Sequence, residues 1–107
     1  MGPKKLRWSR LSQERLTGIG LYISQDSPQN ARKVVQDIRE AARAIPQYPE
    51  AHPIVKQLPS EGNVYHFAIC HSYKIIYKIK PGYILILDVF HMSRDPDNIA
   101  GLADRDS

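Results

Sequence analysis

Six side chains in the second half of the chain could act on a phosphate or move a proton: His66, His71, Lys74, Lys78, His91 and Arg94. Imidazole is the side chain whose ordinary pKa lets it give or take a proton near neutrality. Lysine and arginine answer the negative charge of a phosphodiester. Together these groups suit acid–base or electrostatic work on a polyanion. Each also has a plainer role. His91 closes a strand-like run and can simply hydrogen-bond the backbone. Lys74 and Lys78 can guard a solvent-facing strand edge against aggregation. Arg94 can pair with Asp88 or Asp95.

Other chemistries find no support in the residue pattern. His66 and His71 are five positions apart on a strand, and Cys70 is the single cysteine, so no zinc-type ligand spacing is present. Cys70 reads as a small core residue rather than a reactive thiol. The chain has no glycine-rich phosphate loop, nucleotide fingerprint or serine-nucleophile elbow. Neither a metal nor a cofactor is implied.

Composition bounds the class. A chain of 107 residues suits a single domain, taken as 1–107, with one modest core. At 42% hydrophobic and 24% charged it has the make-up of an ordinary globular protein. Fifteen Lys and Arg against eleven Asp and Glu give a formal charge of +4, which favours acidic or polyanionic partners. No run approaches the roughly 18 apolar residues needed to span a membrane. Met1-Gly2-Pro3-Lys4-Lys5 lacks the apolar stretch of a signal peptide, so the expected location is the cytoplasm and no membrane partner is expected.

The elements that must position the six residues follow from periodicity. Leu6 to Trp8 can form an edge strand, and Ser9 or Ser12 can cap a helix with Leu16, Ile19, Tyr22 and Ile23 on its apolar face. Ser27-Pro28 opens a second helix, whose stripe of Ala31, Val34, Val35, Ile38, Ala42 and Ile45 ends at Pro46 and Pro49. The short link over Ser24 to Ser27 makes the two an antiparallel hairpin. Residues 46–62, with four prolines, read as a stiff connection holding one short strand at Ile54 to Leu58. Val64 to Cys70, Tyr73 to Ile79 and Tyr83 to Phe90 are strand-like, with Pro81-Gly82 turning the last two into a hairpin of open register. Residues 97–107 read as a flexible or short helical tail. The class is therefore α+β: an N-terminal strand and an antiparallel two-helix hairpin packed on an antiparallel three- to four-stranded sheet.

Three blocks in this order resemble the RelE/ParE superfamily of toxins from type II toxin–antitoxin systems. The first is Trp8 to Ile23 with its Tyr22-Ile23 ending, followed by Ser27-Pro28 and Ala31. The second, Tyr73-Lys74-Ile75-Ile76-Tyr77-Lys78-Ile79, is similar to the family's Tyr-Arg-Ile-Ile-Tyr-Arg-Ile strand. The third, Ile86-Leu87-Asp88-Val89-Phe90-His91 with Arg94 and Pro96, resembles the closing Val-x-His-x-x-Arg-x-Pro signature. The likeness runs over residues 6–96.

The resemblance implies a growth inhibitor of the plasmid-stabilisation kind, neutralised by a cognate acidic antitoxin and able to join a higher-order toxin–antitoxin oligomer. Its target would be DNA gyrase, as for ParE-like members, or messenger RNA on the ribosome, as for RelE-like endoribonucleases. The RelE type would be metal-independent, and His66, Lys74, His91 and Arg94 would be its catalytic set. Lys74, Lys78 and Arg94 are the expected target- or phosphate-binding residues in either case. Against the RelE pattern, Ala68 and Met92 stand where basic residues belong and the late tyrosine is missing, which favours the ParE-like branch. A toxin fold that has lost activity and only binds its antitoxin is the remaining alternative.

Overall fold

In the computed structural model, which describes residues 4–55 and 64–93, Ser9 sets the first helix boundary. Its backbone is extended and its hydroxyl accepts the Ser12 N–H at 3.1 Å, so it is the N-cap that ends strand β1 (Lys5–Trp8) and starts helix α1 (Arg10–Ser24). Ser27 does the same for α2 (Pro28–Ala44), accepting from Asn30 N–H while Pro28 fills the first turn. The α2 stripe is buried as its spacing predicts, with Ala31, Val34, Ile38 and Ala42 all facing the core. On α1 the expected apolar face is only partly used. Leu16 is buried and Ile19 and Ile23 are half-buried, but Tyr22 is 71% exposed.

Two short 3-10 turns, Ile45–Gln47 and Pro49–Ala51, follow α2. Of the expected strand at Ile54 to Leu58, the described residues show a bridge between Ile54 and His66. It is supported by Val55 N–H to Tyr65 O at 2.7 Å and Phe67 N–H to Pro53 O at 3.0 Å. Residues 56–58, and the tail 97–107, lie outside the described residues.

Strands β2 (Tyr65–Cys70), β3 (Tyr73–Lys80) and β4 (Tyr83–His91) form the expected antiparallel meander. Gly82, at φ 84°, supplies the positive φ that the two-residue Pro81-Gly82 loop requires. The N-terminal strand joins beside β4 and runs parallel to it, so the sheet is mixed, in the order β1-β4-β3-β2. Parallel pairing of the first and last strands needs a crossover, and the α1–α2 hairpin with the meander provides it.

The two helices cover one face of the sheet. Leu16, Val34, Ile38, Ala42 and Ile45 meet Ala68, Ile75, Tyr77, Ile84, Ile86 and Val89 there. Burying each of these large aliphatic side chains contributes on the order of 1.5–3 kcal/mol. A second cluster, Val55, Tyr65, Ile76, Leu85, Leu87 and Phe90, lies on the opposite face.

A register shift between Ile76 and Tyr77 inserts Leu87 as an extra residue in β4: Tyr77 pairs with Ile86, but Ile76 pairs with Asp88. Strand β1 reaches only as far as Ile86, leaving the rest of β4 without a strand on that side. The start of α1 takes its place. Ser9 N–H and Ser12 Oγ donate to Ile86 O at 2.9 and 3.1 Å, and Ser9 Oγ donates to Leu87 O at 3.2 Å. Ser12, fully buried, is thereby satisfied.

Candidate functional site

The strand register decides which of the six residues can meet. His66 pairs with Tyr77 on the face covered by the helices, whereas Lys74 pairs with Ile69 and so projects from the other face. His66 and Lys74 therefore stand on opposite sides of the sheet and cannot act on one atom. The His66 ring is buried, stacked 5.4 Å from the Tyr77 ring, and its Nδ1 is 2.9 Å from His52 O. Tyr77 in turn donates its hydroxyl to Pro49 O, and burial pushes its phenol far above the ordinary range. His66, Tyr77 and His52 lock the connection after α2 onto the sheet.

Lys74 and Lys78 sit on β3, an interior strand, so the reading of them as guards of a strand edge is corrected. Each instead lies over an aromatic ring of the neighbouring strand: Lys74 Nζ is 4.4 Å from the Phe67 centroid and Lys78 Nζ is 5.9 Å from that of Tyr65. His71 holds φ 55° in the β2–β3 turn, and its Nε2 is 2.7 Å from Asp37 Oδ2 on α2. That hydrogen bond, with a second from Lys33 at 3.1 Å, holds the Asp37 carboxyl below its usual range. Burial, then the Asp37 carboxylate, raises the Cys70 thiol, which makes it a poor nucleophile. Arg94 lies outside the described residues.

Of the described members of this set, His91 lines a cleft. Opposite Tyr73 in the register, it meets that ring edge-on at 5.3 Å between centroids. With Glu14, Arg15, Gly18, Ile19 and Tyr22 of α1 these rings line a space of about 580 Å³. The His91 Nδ1 accepts the Ser93 N–H at 3.1 Å and lies 2.8 Å from Ser93 Oγ, so the neutral ring carries its proton on Nε2. Burial, and then the nearby Tyr22 phenol, raise the Tyr73 phenol above its ordinary range. Two phenols, an imidazole and the aliphatic Ile19 form a surface suited to holding a partner's side chain.

Sequence reasoning missed Arg15, Tyr22 and Tyr73 as members of this cleft. Arg15, Gly18 and Tyr22 recur at spacings of three and four, a stripe on α1 beside its buried one, and that was the available signal. Tyr73 had none, because its partner depends on the extra residue in β4. Counted back from the Pro81-Gly82 turn without the bulge, Tyr73 would face Phe90; with it, Tyr73 faces His91.

An α-helical hairpin on one face of a small mixed sheet with a parallel first strand is the fold of the RelE/ParE-like toxins. Over 82% of this chain and 95% of the other, it is similar to the chromosomal ParDE toxin–antitoxin system of P. aeruginosa, with a TM-score of 0.65 at 22% identity. A second structure, the RelBE2 toxin–antitoxin complex of Mycobacterium tuberculosis, matches with a TM-score of 0.55 and 19% identity over 84% of this chain and 99% of that one. At those identities the likeness shows the fold alone.

Residues 6–96 match the family described as ParE toxin of type II toxin-antitoxin system, parDE, and the chain belongs to that family. A curated relative from Sinorhizobium fredii, named "Putative toxin Y4kP", is 41% identical over 49 residues, 46% of this chain. The match spans about half, 51%, of that relative's length. Among the described residues no helix is long and apolar enough to cross a membrane.

Proposed function

We propose that this protein is the toxin of a type II pair that inhibits growth by poisoning DNA gyrase and is silenced by an acidic antitoxin. The carrying observation is the separation of His66 from Lys74 by the sheet. A ribonuclease built on these residues would need its proton-transfer groups and cations around one phosphate. A gyrase poison needs a binding surface instead. Lys74 and Lys78, with Arg94 of the closing block, are the cations assigned to that contact.

The antitoxin follows from the same family. Both structural relatives are named as toxin–antitoxin systems, and the formal charge of +4 suits an acidic partner. Leu21 and Tyr22, 66% and 71% exposed on α1 beside the His91 cleft, offer apolar anchors for a segment that folds on binding.

The test is a gyrase supercoiling and DNA-cleavage assay with purified toxin. A stabilised cleavage complex that the neighbouring antitoxin abolishes is the expected result. No cleavage complex at excess toxin would overturn the gyrase reading. Primer extension on messenger RNA after induction should show intact transcripts, and cuts that depend on the ribosome would move the chain to the RelE-like branch.

A further inference from the structure

The N-terminal end of the molecule carries a cationic groove that shares no lining residue with the His91 cleft. Arg7, Trp8, Ser9, Arg10, Lys80, Tyr83 and Leu85 line a space of about 320 Å³, and none of them is acidic. Lys4 and Lys5 adjoin it: Lys4 Nζ donates to Lys80 O at 3.1 Å, and Lys5 N–H donates to Gly82 O at 3.3 Å. Three cations, Arg7, Arg10 and Lys80, thus line one groove, and the Lys4 ammonium stands beside it. The first carboxylate after Met1 is Glu14. It touches Arg10 at 3.5 Å, but with the two side chains 93% and 64% exposed this surface pair holds Arg10 weakly.

We infer that this groove binds the phosphate backbone of duplex DNA. Charge complementarity sets the class of ligand: three lining cations, with Lys4 beside them and no carboxylate among the described lining residues, make a site for closely spaced negative charges. The aromatic residues decide between duplex and single strand. Single-strand binders offer open rings on which bases stack. Here the Arg7 guanidinium lies over the Tyr83 ring at 5.3 Å from its centroid, and the ring is half-buried. Phosphate contacts are therefore available where base stacking on Tyr83 is not. An acidic peptide that folds on binding needs apolar anchors, and Leu85 in this groove is buried. By register, Lys5 and Arg7 stand on the same sheet face as Lys74 and Lys78.

This assignment does not depend on gyrase being the target. Fluorescence anisotropy of the full chain with a labelled duplex of about 20 base pairs, over a salt series, tests it directly. The expected result is binding that weakens as salt rises. In Arg7→Ala/Arg10→Ala the salt slope should fall by about 2, one for each lost phosphate contact. Both side chains are exposed, and circular dichroism checks that the variant stays folded. Three results would each overturn the inference: no duplex binding at low salt, an unchanged slope in a folded double variant, or tighter binding to single-stranded DNA. Binding of poly-glutamate, but not of duplex, that is lost in the double variant would reassign the groove to an acidic protein partner. Duplex binding without a gyrase cleavage complex would leave this inference standing and remove the gyrase reading alone.

Discussion

Arg15 Nε lies 3.4 Å from Asp88 Oδ1, an ion pair between α1 and the bulge of β4 in which the carboxylate is 3% exposed and the arginine 34%. Asp88 Oδ1 also accepts the Val89 N–H at 2.8 Å, so the side chain bonds to the strand at the irregular position. The Arg15 Nε contact is ionic rather than a well-directed hydrogen bond. The pair fixes α1 against the part of β4 that β1 does not reach.

Removing the cation takes one ionic contact from a carboxylate that is 3% exposed. Arg15→Met should therefore destabilise the protein by about 1–3 kcal/mol, read from urea denaturation. A double-mutant cycle with Asp88→Asn should give a coupling of at least about 0.5 kcal/mol. Additive effects would show that the two side chains act separately.

Acid should loosen the contact between α2 and the β2–β3 turn. The folded-state pKa of Asp37 is lowered, chiefly by the His71 hydrogen bond and then by Lys33. A lowered carboxyl pKa contributes stability above the unfolded value, near 3.9, and loses it as pH falls through the folded value. Melting temperature should thus drop more steeply below about pH 4 in the wild type than in Asp37→Asn. Parallel curves would remove Asp37 as a contributor.

Two glycines of α1 should respond differently to alanine. A Cβ at Gly18 meets nothing within 4 Å, so Gly18→Ala should raise stability by about 0.5–1 kcal/mol through helix propensity. At Gly20 the new carbon would lie 3.2 Å from Val35 Cγ2, and the gain should shrink or reverse as α2 is pushed away. Equal effects in thermal melts would show that the helix pair has slack at this contact.

Tyr77→Phe should cost about 1–2 kcal/mol, because it leaves the Pro49 carbonyl without the phenol donor. Spectrophotometric titration gives a second readout. Tyr77, its phenol raised by burial, should stay neutral in the folded state after exposed tyrosines have ionised. Ionisation of all six tyrosines together before unfolding would contradict the packing described.

Much of this fold is legible in the sequence because its local signals agree. Ser9 and Ser27-Pro28 mark the helix starts, the α2 stripe marks its buried face, and Pro81-Gly82 marks the last hairpin. The parallel partnership of β1 with β4 has no local signal, since it joins segments almost a chain length apart. The site was harder to read. Alternation alone can separate His66 from Lys74, but only once the β2–β3 register is known. The cleft around His91 depends on one inserted residue, which no turn motif announces. Tyr22, which fits the α1 stripe, lies outside the core because α1 turns a narrower face to the sheet than the spacing allows.

Strand β1 pairs with β4 from Lys5↔Tyr83 to Trp8↔Ile86, so the sheet closes only when the two ends of the folded region meet. That loop closure is entropically slow, while the α1–α2 hairpin and the β2–β4 meander are local and can form early. On a ribosome the chain would complete its helix layer well before its central strand acquires its second neighbour. Until then Ile84 and Ile86 lack their β1 partners, and the nascent polypeptide exposes an unpaired strand edge to any chain that can supply one.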